Sequence, residues 1–276
     1  MTTLVLGANG FIGSAVAREL AFINPNGVLG LVRRAPADGG IPGVRYIEGD
    51  VTEASSTRRY MAGMNIVICC ISYVGHDEAR CQEVNDQAIR NVARAASDSG
   101  VNRLFYVSTA SVYGTGPFTD MPVDGAPLNP HSEASRTRVA AEKHIRQVGG
   151  VVVRPHLILG PGDRWVAPGL MDVCNRLGSL IDGGSALVST IKVDELARRV
   201  TELATMDSFG HDRVLHVNDP DPSRVVDVVR AISTQTNWSV PLGSISRECA
   251  LERARRVGID RRRVDMVSLD HWFRNT

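Results

Sequence analysis

The chain has 276 residues, 43% of them hydrophobic, with a formal net charge of +1. That is enough apolar material for one large domain, or a large one with an appendage. The balanced charge excludes a field that gathers nucleic acid or an anionic membrane, and 5% aromatic residues are too few for single-strand stacking platforms.

Taken in chain order, apolar runs at 3–7, 28–34, 44–50, 65–72, 103–109 and 150–155 read as strands. Amphipathic segments at 12–22, 54–62, 82–99 and 135–147 read as the helices between them. Several of the strands are apolar without alternation, as a strand covered on both faces requires. Strand and helix alternating in this way predict right-handed crossovers and an α/β fold built on a doubly wound parallel sheet. Cys69 and Cys70 fall inside "NIVICCIS" as buried thiols. The five cysteines, odd in number and at spacings that fit no zinc pattern, argue against a disulfide scaffold and suggest no metal site. No apolar run approaches membrane-spanning length, and the chain enters a strand at once, so a cytoplasmic protein is expected.

From about 161 the texture changes to mixed loop and helix with more glycine. A strand and helix follow in "STIKVDELARRVTELATM", a further strand at 213–219, and an Arg-rich helical tail at 246–276. Residues 1–160 are expected to form the sheet domain, and 161–276 a smaller substrate lobe interwoven with it.

Gly7, Gly10 and Gly13 stand between the first strand and the first helix, spaced G-x-x-G-x-x-G, with Asn9, Phe11 and Ile12 completing the loop. The first glycine permits the tight turn, the second lets backbone approach a pyrophosphate, and the third lets helix and strand pack closely. The helix N-terminus adds N–H groups and a positive dipole. The pattern predicts dinucleotide binding in a Rossmann-like domain. An NAD site usually has an acidic residue at the end of the second strand. Here that end carries Arg33 and Arg34, whose guanidinium groups suit a 2′-phosphate, so NADP(H) is expected. Asp50 and Val51, after the third strand, are placed for the adenine.

Later segments carry a resemblance. "VICCISY", "EVNDQAIRNV", "YVSTASVYG", "VVVRPHLILGPGD" and "IKVDELA" follow in order. With the glycine loop they resemble the extended short-chain dehydrogenase/reductase family of nucleotide-sugar epimerases, dehydratases and reductases. The resemblance places Thr109 at the catalytic Ser/Thr position, its hydroxyl on the substrate carbonyl. It places Cys70, Ile71, Asn85, Arg138 and Pro155 beside the cofactor. The family's P-x-S-P-Y-x-x-S-K-x-x-A-E pattern meets Pro130 to Glu142 here, with Ala134 at the tyrosine and Arg138 at the lysine. The flanking Pro130, Ser132, Ala141 and Glu142 fix that register. An alanine cannot donate a proton, although Arg138 retains a fork for ribose hydroxyls. Helices 82–99 and 135–147 correspond to faces that related proteins use to form homodimers.

A narrower likeness, in "HSEASRTRVAAE", "VVVRPHLILGPGDRW" and "SLDHWF", is to the 4-ketoreductases of deoxysugar pathways in antibiotic biosynthesis. It implies NADPH-dependent reduction of the 4-keto group of a nucleotide-linked (dTDP) 4-keto-6-deoxyhexose. The alternatives are a catalytically silent NADP-binding redox sensor, or an epimerase or dehydratase that retains NAD. Substitutes for the missing acid are Tyr73, His76 and His131, with Ser132, Glu133, Tyr113 and His156 nearby in the pattern. For the substrate diphosphate the second lobe offers Arg164, Arg176, Lys192 and Arg261–Arg263, and Trp165 offers a stacking surface.

Overall fold

The computed structural model, which describes residues 1–206 and 213–276, opens with β1 (Thr3–Leu6), α1 (Phe11–Ile23), β2 (Val28–Val32), β3 (Val44–Glu48), α2 (Ala54–Met61) and β4 (Ile66–Cys69). Helix α3 (Glu78–Cys81) passes through a π-helical stretch, Gln82–Gln87, into α4 (Ala88–Asp98). Then come β5 (Arg103–Val107), β6 (Phe118–Met121), α5 (Glu133–Gln147) and β7 (Val151–Arg154). The six strands and four helices expected from the first half all form.

The second half continues with β8 (Leu157–Leu159), α6 (Val166–Leu177), β9 (Leu180–Ile181), β10 (Leu187–Val188), β11 (Thr190–Lys192) and α7 (Val193–Thr205). It ends with β12 (Val214–His216), β13 (Ser223–Arg224), α8 (Val225–Thr236), β14 (Ser244–Ile245), α9 (Arg247–Val257), α10 (Arg261–Ser268) and β15 (His271–Phe273).

The large sheet runs β3-β2-β1-β4-β5-β7-β12, and every neighbouring pair is parallel. This is a Rossmann-like doubly wound sheet. Its strands are apolar throughout because both faces are covered. Leu4, Leu6, Val67, Cys69, Leu104, Tyr106 and Val152 pack in the cluster shared with α2, α4 and α5. The alternate residues Val5, Ile66, Ile68, Phe105, Val107, Val151 and Val153 pack in the cluster of α1 and α7. A strand's two-residue period divides each apolar run between two cores.

A third core joins α6, α8, α9 and α10, beside a four-stranded sheet β13-β10-β15-β6. Strand β6 comes from the first half, while β12 of the second half completes the large sheet. The tail is not helical to its end, as its sequence suggested. After α10, β15 pairs with β10 and β6, and His271 and Phe273 are buried to 2% and 4% exposure with the half-buried Trp272 between them. Three residues are too short a run to show that period in sequence. Among the described residues, no helix is long and apolar enough to cross a membrane.

One ion pair lies under the junction of these parts. Arg154, at the end of β7, and Glu142, on α5, have side chains only 1% and 3% exposed. Arg154 Nε donates to Glu142 Oε1 at 3.1 Å and its Nη1 to Tyr113 Oη at 2.7 Å, while Ser108 Oγ donates to Glu142. A buried charge that loses its partner costs about 3–5 kcal/mol, whereas an apolar replacement of both is often neutral. Glu142→Leu is therefore expected to destabilise by that amount, and Glu142→Leu with Arg154→Met by clearly less. Urea unfolding of the single and double variants measures the difference; a double variant as unstable as the single one contradicts the assignment.

Candidate active site

The glycine loop between β1 and α1 is shaped as a cradle. Gly7 has φ +81°, in the left-handed region. A Cβ on Gly13 would lie 2.1 Å from the Gly7 carbonyl oxygen, so α1 packs on the turn at a distance that only glycine allows. Gly10 is the N-cap and offers no side chain, and the first turn has no acidic residue. The first N–H groups of α1 are left for an anion. Phe11 and Ile12 pack partly buried against the sheet core, and Asn9 Nδ2 donates to the Arg34 carbonyl at 3.4 Å. Cys70 and Ile71, after β4, lie against Gly7. Burial pushes the Cys70 thiol far up, so it is no nucleophile. The loop fits the pyrophosphate of a dinucleotide, because Gly10 puts no side chain at the helix N-terminus and Gly13 lets α1 start hard against the turn.

Arg33 and Arg34 are exposed at the end of β2, with no ion-pair partner among the described residues. Arg33 joins Glu48, Gly49, Asp50, Arg59 and Tyr60 around a cavity of about 380 Å³. Asp50 Oδ1 accepts from Thr52 N and Oγ1, both at 2.9 Å. Val51 is 5% exposed and packs into the core, so its side chain is turned away from any ligand.

Thr109, two residues beyond β5, is in extended backbone and accepts from Ser111 N at 3.1 Å. That bond uses a lone pair and leaves its O–H free to donate. The β5 end runs along β7: Ser108 N donates to Val153 O at 2.7 Å and Ala110 N to Pro155 O at 2.8 Å. Helix α5 begins with Ser132, whose Oγ accepts from Ser135 N at 3.1 Å. Ala134 is buried in the first turn and Arg138 follows one turn later. Arg138 Nε and Tyr106 Oη are both buried without a partner.

Asn85 departs from its expected place against the cofactor. It has no exposed surface. Its Oδ1 accepts from Tyr73 N at 2.7 Å, and its Nδ2 donates to Tyr73 O at 2.9 Å and Thr137 Oγ1 at 3.2 Å. Asn85 thus fastens the loop after β4 to α5, and sequence carries no sign that its amide is occupied. Tyr73 is tied through Asn85 to Thr137, one turn after Ala134 on α5, and its ring is folded over Gly75. His76 is exposed. The His131 ring lies against Gly114, and its carbonyl accepts from Arg262 at 2.6 Å. Glu133 accepts from Gln82 and pairs with Arg136 at 2.8 Å; the Arg136 hydrogen bond holds its carboxyl below the usual range. It is therefore ionised and unsuited to give a proton. Tyr113 is fully engaged by Arg154 and His216.

Most of the candidate diphosphate arginines have other partners. Arg176 pairs with Asp172 and donates to the Val257 carbonyl. Arg261 pairs with Asp265, Arg262 with Asp260, and Arg263 with Asp172. Arg164 and Lys192 are exposed and have no such partner among the described residues. Trp165 is 57% exposed.

The family model described as "NAD dependent epimerase/dehydratase family" matches residues 3–216. The chain belongs to that family. A 2-alkyl-3-oxoalkanoate reductase of Stenotrophomonas maltophilia is 29% identical over 217 residues, 71% of this chain and 63% of that protein. UDP-glucose 4-epimerase of Vibrio cholerae is 26% identical over 262 residues, 87% of this chain and 78% of that one. Among solved structures, MoeE5 in complex with UDP-glucose and NAD gives a TM-score of 0.72 at 24% identity, covering 89% of this chain and 85% of that one. The chain spans 54–63% of the length of the first three curated relatives it matches.

This family member also has a histidine cluster beside the site. His216 is fully buried; its Nδ1 donates to Arg274 O at 3.1 Å, and its Nε2 faces Tyr113 Oη at 2.9 Å. Burial lowers its pKa to about 4, and burial with the neighbouring His271 and His216 lowers that of His156 to about 3. His271 is also lowered, first by burial. In the unfolded chain these groups titrate near 6.5. Their folded pKa values are depressed, so no penalty applies above pH 6.5. As pH falls toward 4 the unfolded state takes up protons that the native state refuses. Each histidine then removes up to about 1.4 kcal/mol per pH unit. The unfolding free energy is expected to drop steadily from pH 6.5 to pH 4, and His156→Phe to flatten the slope. Urea titrations at pH 7, 6 and 5 check this; equal stability at all three would contradict it.

Proposed function

We propose that this chain uses NADPH to reduce the 4-keto group of a nucleotide-linked (dTDP) 4-keto-6-deoxyhexose, with a proton donor other than the family tyrosine. The observation that carries this reading is Thr109: its O–H, left free by the bond it accepts from Ser111, stands at the carboxyl edge of the large sheet, where ligands bind. The relatives' names favour ketone chemistry, among them the 2-alkyl-3-oxoalkanoate reductases. The nucleotide sugar is suggested by the solved complexes, including a dTDP-glucose 4,6-dehydratase, DesIV. Arg33 and Arg34, with no ion-pair partner among the described residues, favour NADP(H) over NAD, and Arg164 and Lys192, likewise without one among those residues, leave cations for a diphosphate.

The nicotinamide, when bound, supplies the hydride. Thr109 donates to the carbonyl oxygen and stabilises the charge that develops there; loss of one such donor typically costs about 10²–10³-fold in kcat. Tyr73 is the donor we assign in place of the tyrosine. Asn85 ties its backbone to Thr137, which lies one turn after Ala134 on α5, and this link of the Tyr73 loop to α5 is what favours Tyr73 over the other candidates. A positioned acid contributes about 10²–10⁴-fold. Arg138 holds the ribose hydroxyls.

The test is NADPH oxidation with a panel of nucleoside-diphosphate 4-keto-6-deoxyhexoses, followed by NMR of the product. Thr109→Val is expected to lower kcat at least 100-fold without changing NADPH affinity, and Tyr73→Phe to lower it at least 10-fold. Cofactor binding without turnover across the panel would favour the silent sensor. In a separate measurement, Arg33→Ala with Arg34→Ala is expected to weaken NADPH at least 10-fold while leaving NADH unchanged. Equal losses for both cofactors would overturn the NADP(H) assignment.

A further inference from the structure

Among the described residues, the buried polar atoms without a partner include both ring nitrogens of His156, Tyr106 Oη and Arg138 Nε. The His156 ring stacks on His271 at 5.8 Å between centroids and lies 5.2 Å from the Phe273 ring. Its neighbours His216 and His271 have partners on both nitrogens. The His156 nitrogens have no surface, so they offer a ligand nothing. Arg138 is different, because the residue is only half-buried. Its two outer nitrogens are not buried, and they have neither a hydrogen bond nor a carboxylate among the described residues. A charge drawn partly out of water normally has a counter-ion.

The place of Arg138 follows from α5. Ala134, Arg138 and Glu142 are spaced four residues apart and share one face of that helix. Glu142 accepts from Ser108, the residue before Thr109. Helix α5 returns the chain from the carboxyl edge of the sheet to the start of β7, so its earlier residues lie nearer that edge. Arg138 comes one turn, about 6 Å, before Glu142, which puts it on the Thr109 side of the bond between Ser108 and Glu142. Its charge also reaches Cys69 and Tyr106, near the ends of β4 and β5, where it opposes the rise that burial gives both groups. Ala134, one turn further out, brings only a methyl group.

We propose that Arg138 is a catalytic residue whose guanidinium donates to the carbonyl oxygen of the substrate, beside the Thr109 hydroxyl. The proposal rests on the ketone-reductase reading above and adds the group that meets the charge of the reaction. A pair of ribose hydroxyls is neutral and takes two of the four outer N–H bonds, which leaves two. The oxygen of a ketone starts neutral. As hydride from the nicotinamide reaches the carbonyl carbon, the π electron pair moves to that oxygen, and negative charge develops beside a cation that has no other anion. A fixed donor aimed at charge present only in the transition state raises kcat. Arg138 keeps its own proton, so the proton that completes the alcohol still comes from Tyr73. A lysine would offer one point of charge, whereas the fork serves the ribose and the oxygen together.

The test measures kcat at saturating NADPH on nucleotide-linked and simple ketones, and NADPH affinity by fluorescence, for wild type, Arg138→Ala, Arg138→Gln and Arg138→Lys. Arg138→Ala should lower kcat at least about 100-fold and weaken NADPH less than about 10-fold. Millimolar methylguanidinium should raise kcat of Arg138→Ala at least about 10-fold, and urea, similar in shape but neutral, should not. Should Arg138→Ala fail to fold, Arg138→Lys should keep at least about ten times the kcat of Arg138→Gln. A kcat unchanged at saturating NADPH, with only the affinity lost, overturns the proposal and leaves the ribose contact. Rescue by urea as strong as by methylguanidinium also overturns it, as does equal loss in Arg138→Lys and Arg138→Gln with no rescue. A wild type that reduces simple ketones but no nucleotide sugar, with the rescue intact, sinks the sugar-nucleotide reading and upholds Arg138. A wild type that reduces no ketone overturns both.

Discussion

The arrangement of the site depends on the buried pair of Arg154 and Glu142. It does not earn its place as a stabiliser, because desolvating two charges costs about as much as their attraction returns. Its effect is geometric. Glu142 belongs to α5, eight residues after Ala134 and on the same side of the helix. Ser108, which donates to Glu142, precedes Thr109, and Arg154 lies two residues before His156. One guanidinium therefore sets the relative positions of the strand end with the hydroxyl, the helix that faces it and the strand end with the orphaned imidazole. Either charge left alone would be intolerable at that depth, so the three elements have little freedom to separate.

The same pair extends into the lobe through neutral groups. Arg154 donates to Tyr113 Oη, Tyr113 meets His216 Nε2, and His216 Nδ1 donates to Arg274 O. Arg274 in turn pairs with Asp120, beside the end of β6. Beyond it, Thr276 N and Oγ1 bond to the His216 backbone, and Asn275 bonds to Asn218. These contacts cover the outer edge of β12, which would otherwise present unpaired backbone groups. The His216 ring must stay neutral for the chain of bonds to hold, because a protonated Nε2 cannot accept. Acid sensitivity of the fold and integrity of the site are thus two consequences of one network.

The large sheet was legible because burial on both faces writes a continuous apolar run, and the glycine loop was legible because a single close approach dictates three residues. Strand β6 was not, since "FTDM" has too few apolar residues to mark a period. Strand β15 hid behind an Arg-rich helix for the same reason. The arginines of "DRRRVD" looked available, yet Asp260 and Asp265 sit within helical reach of Arg262 and Arg261, a signal present in the sequence itself. Arg263 was different: its partner Asp172 lies on another helix and no local pattern reveals it. Asn85 matched a cofactor-side position, but the backbone of Tyr73 takes its amide, a tertiary fact invisible in one dimension. His156 was one polar residue among several; only the folded chain shows that its two nitrogens lack partners while its neighbours' do not.

If Ala134 and Arg138 stand where the resemblance puts a tyrosine and a lysine, they make physical sense as a pair. A lysine one turn after a tyrosine acts through its charge to make the phenol a better acid, and without the phenol that task disappears. What remains is to hold a charge in a half-buried place, where a lysine readily loses its proton and an arginine does not. Arg138 lies close enough to Cys69 and Tyr106 for its charge to oppose the upward shift of both groups. Its Nε faces protein without a hydrogen bond, which leaves binding to the outer guanidinium nitrogens, suited to a pair of ribose hydroxyls. On the proposed reading the proton comes from another element, and the loop that Asn85 fastens to Thr137 is the part of the fold already tied to α5.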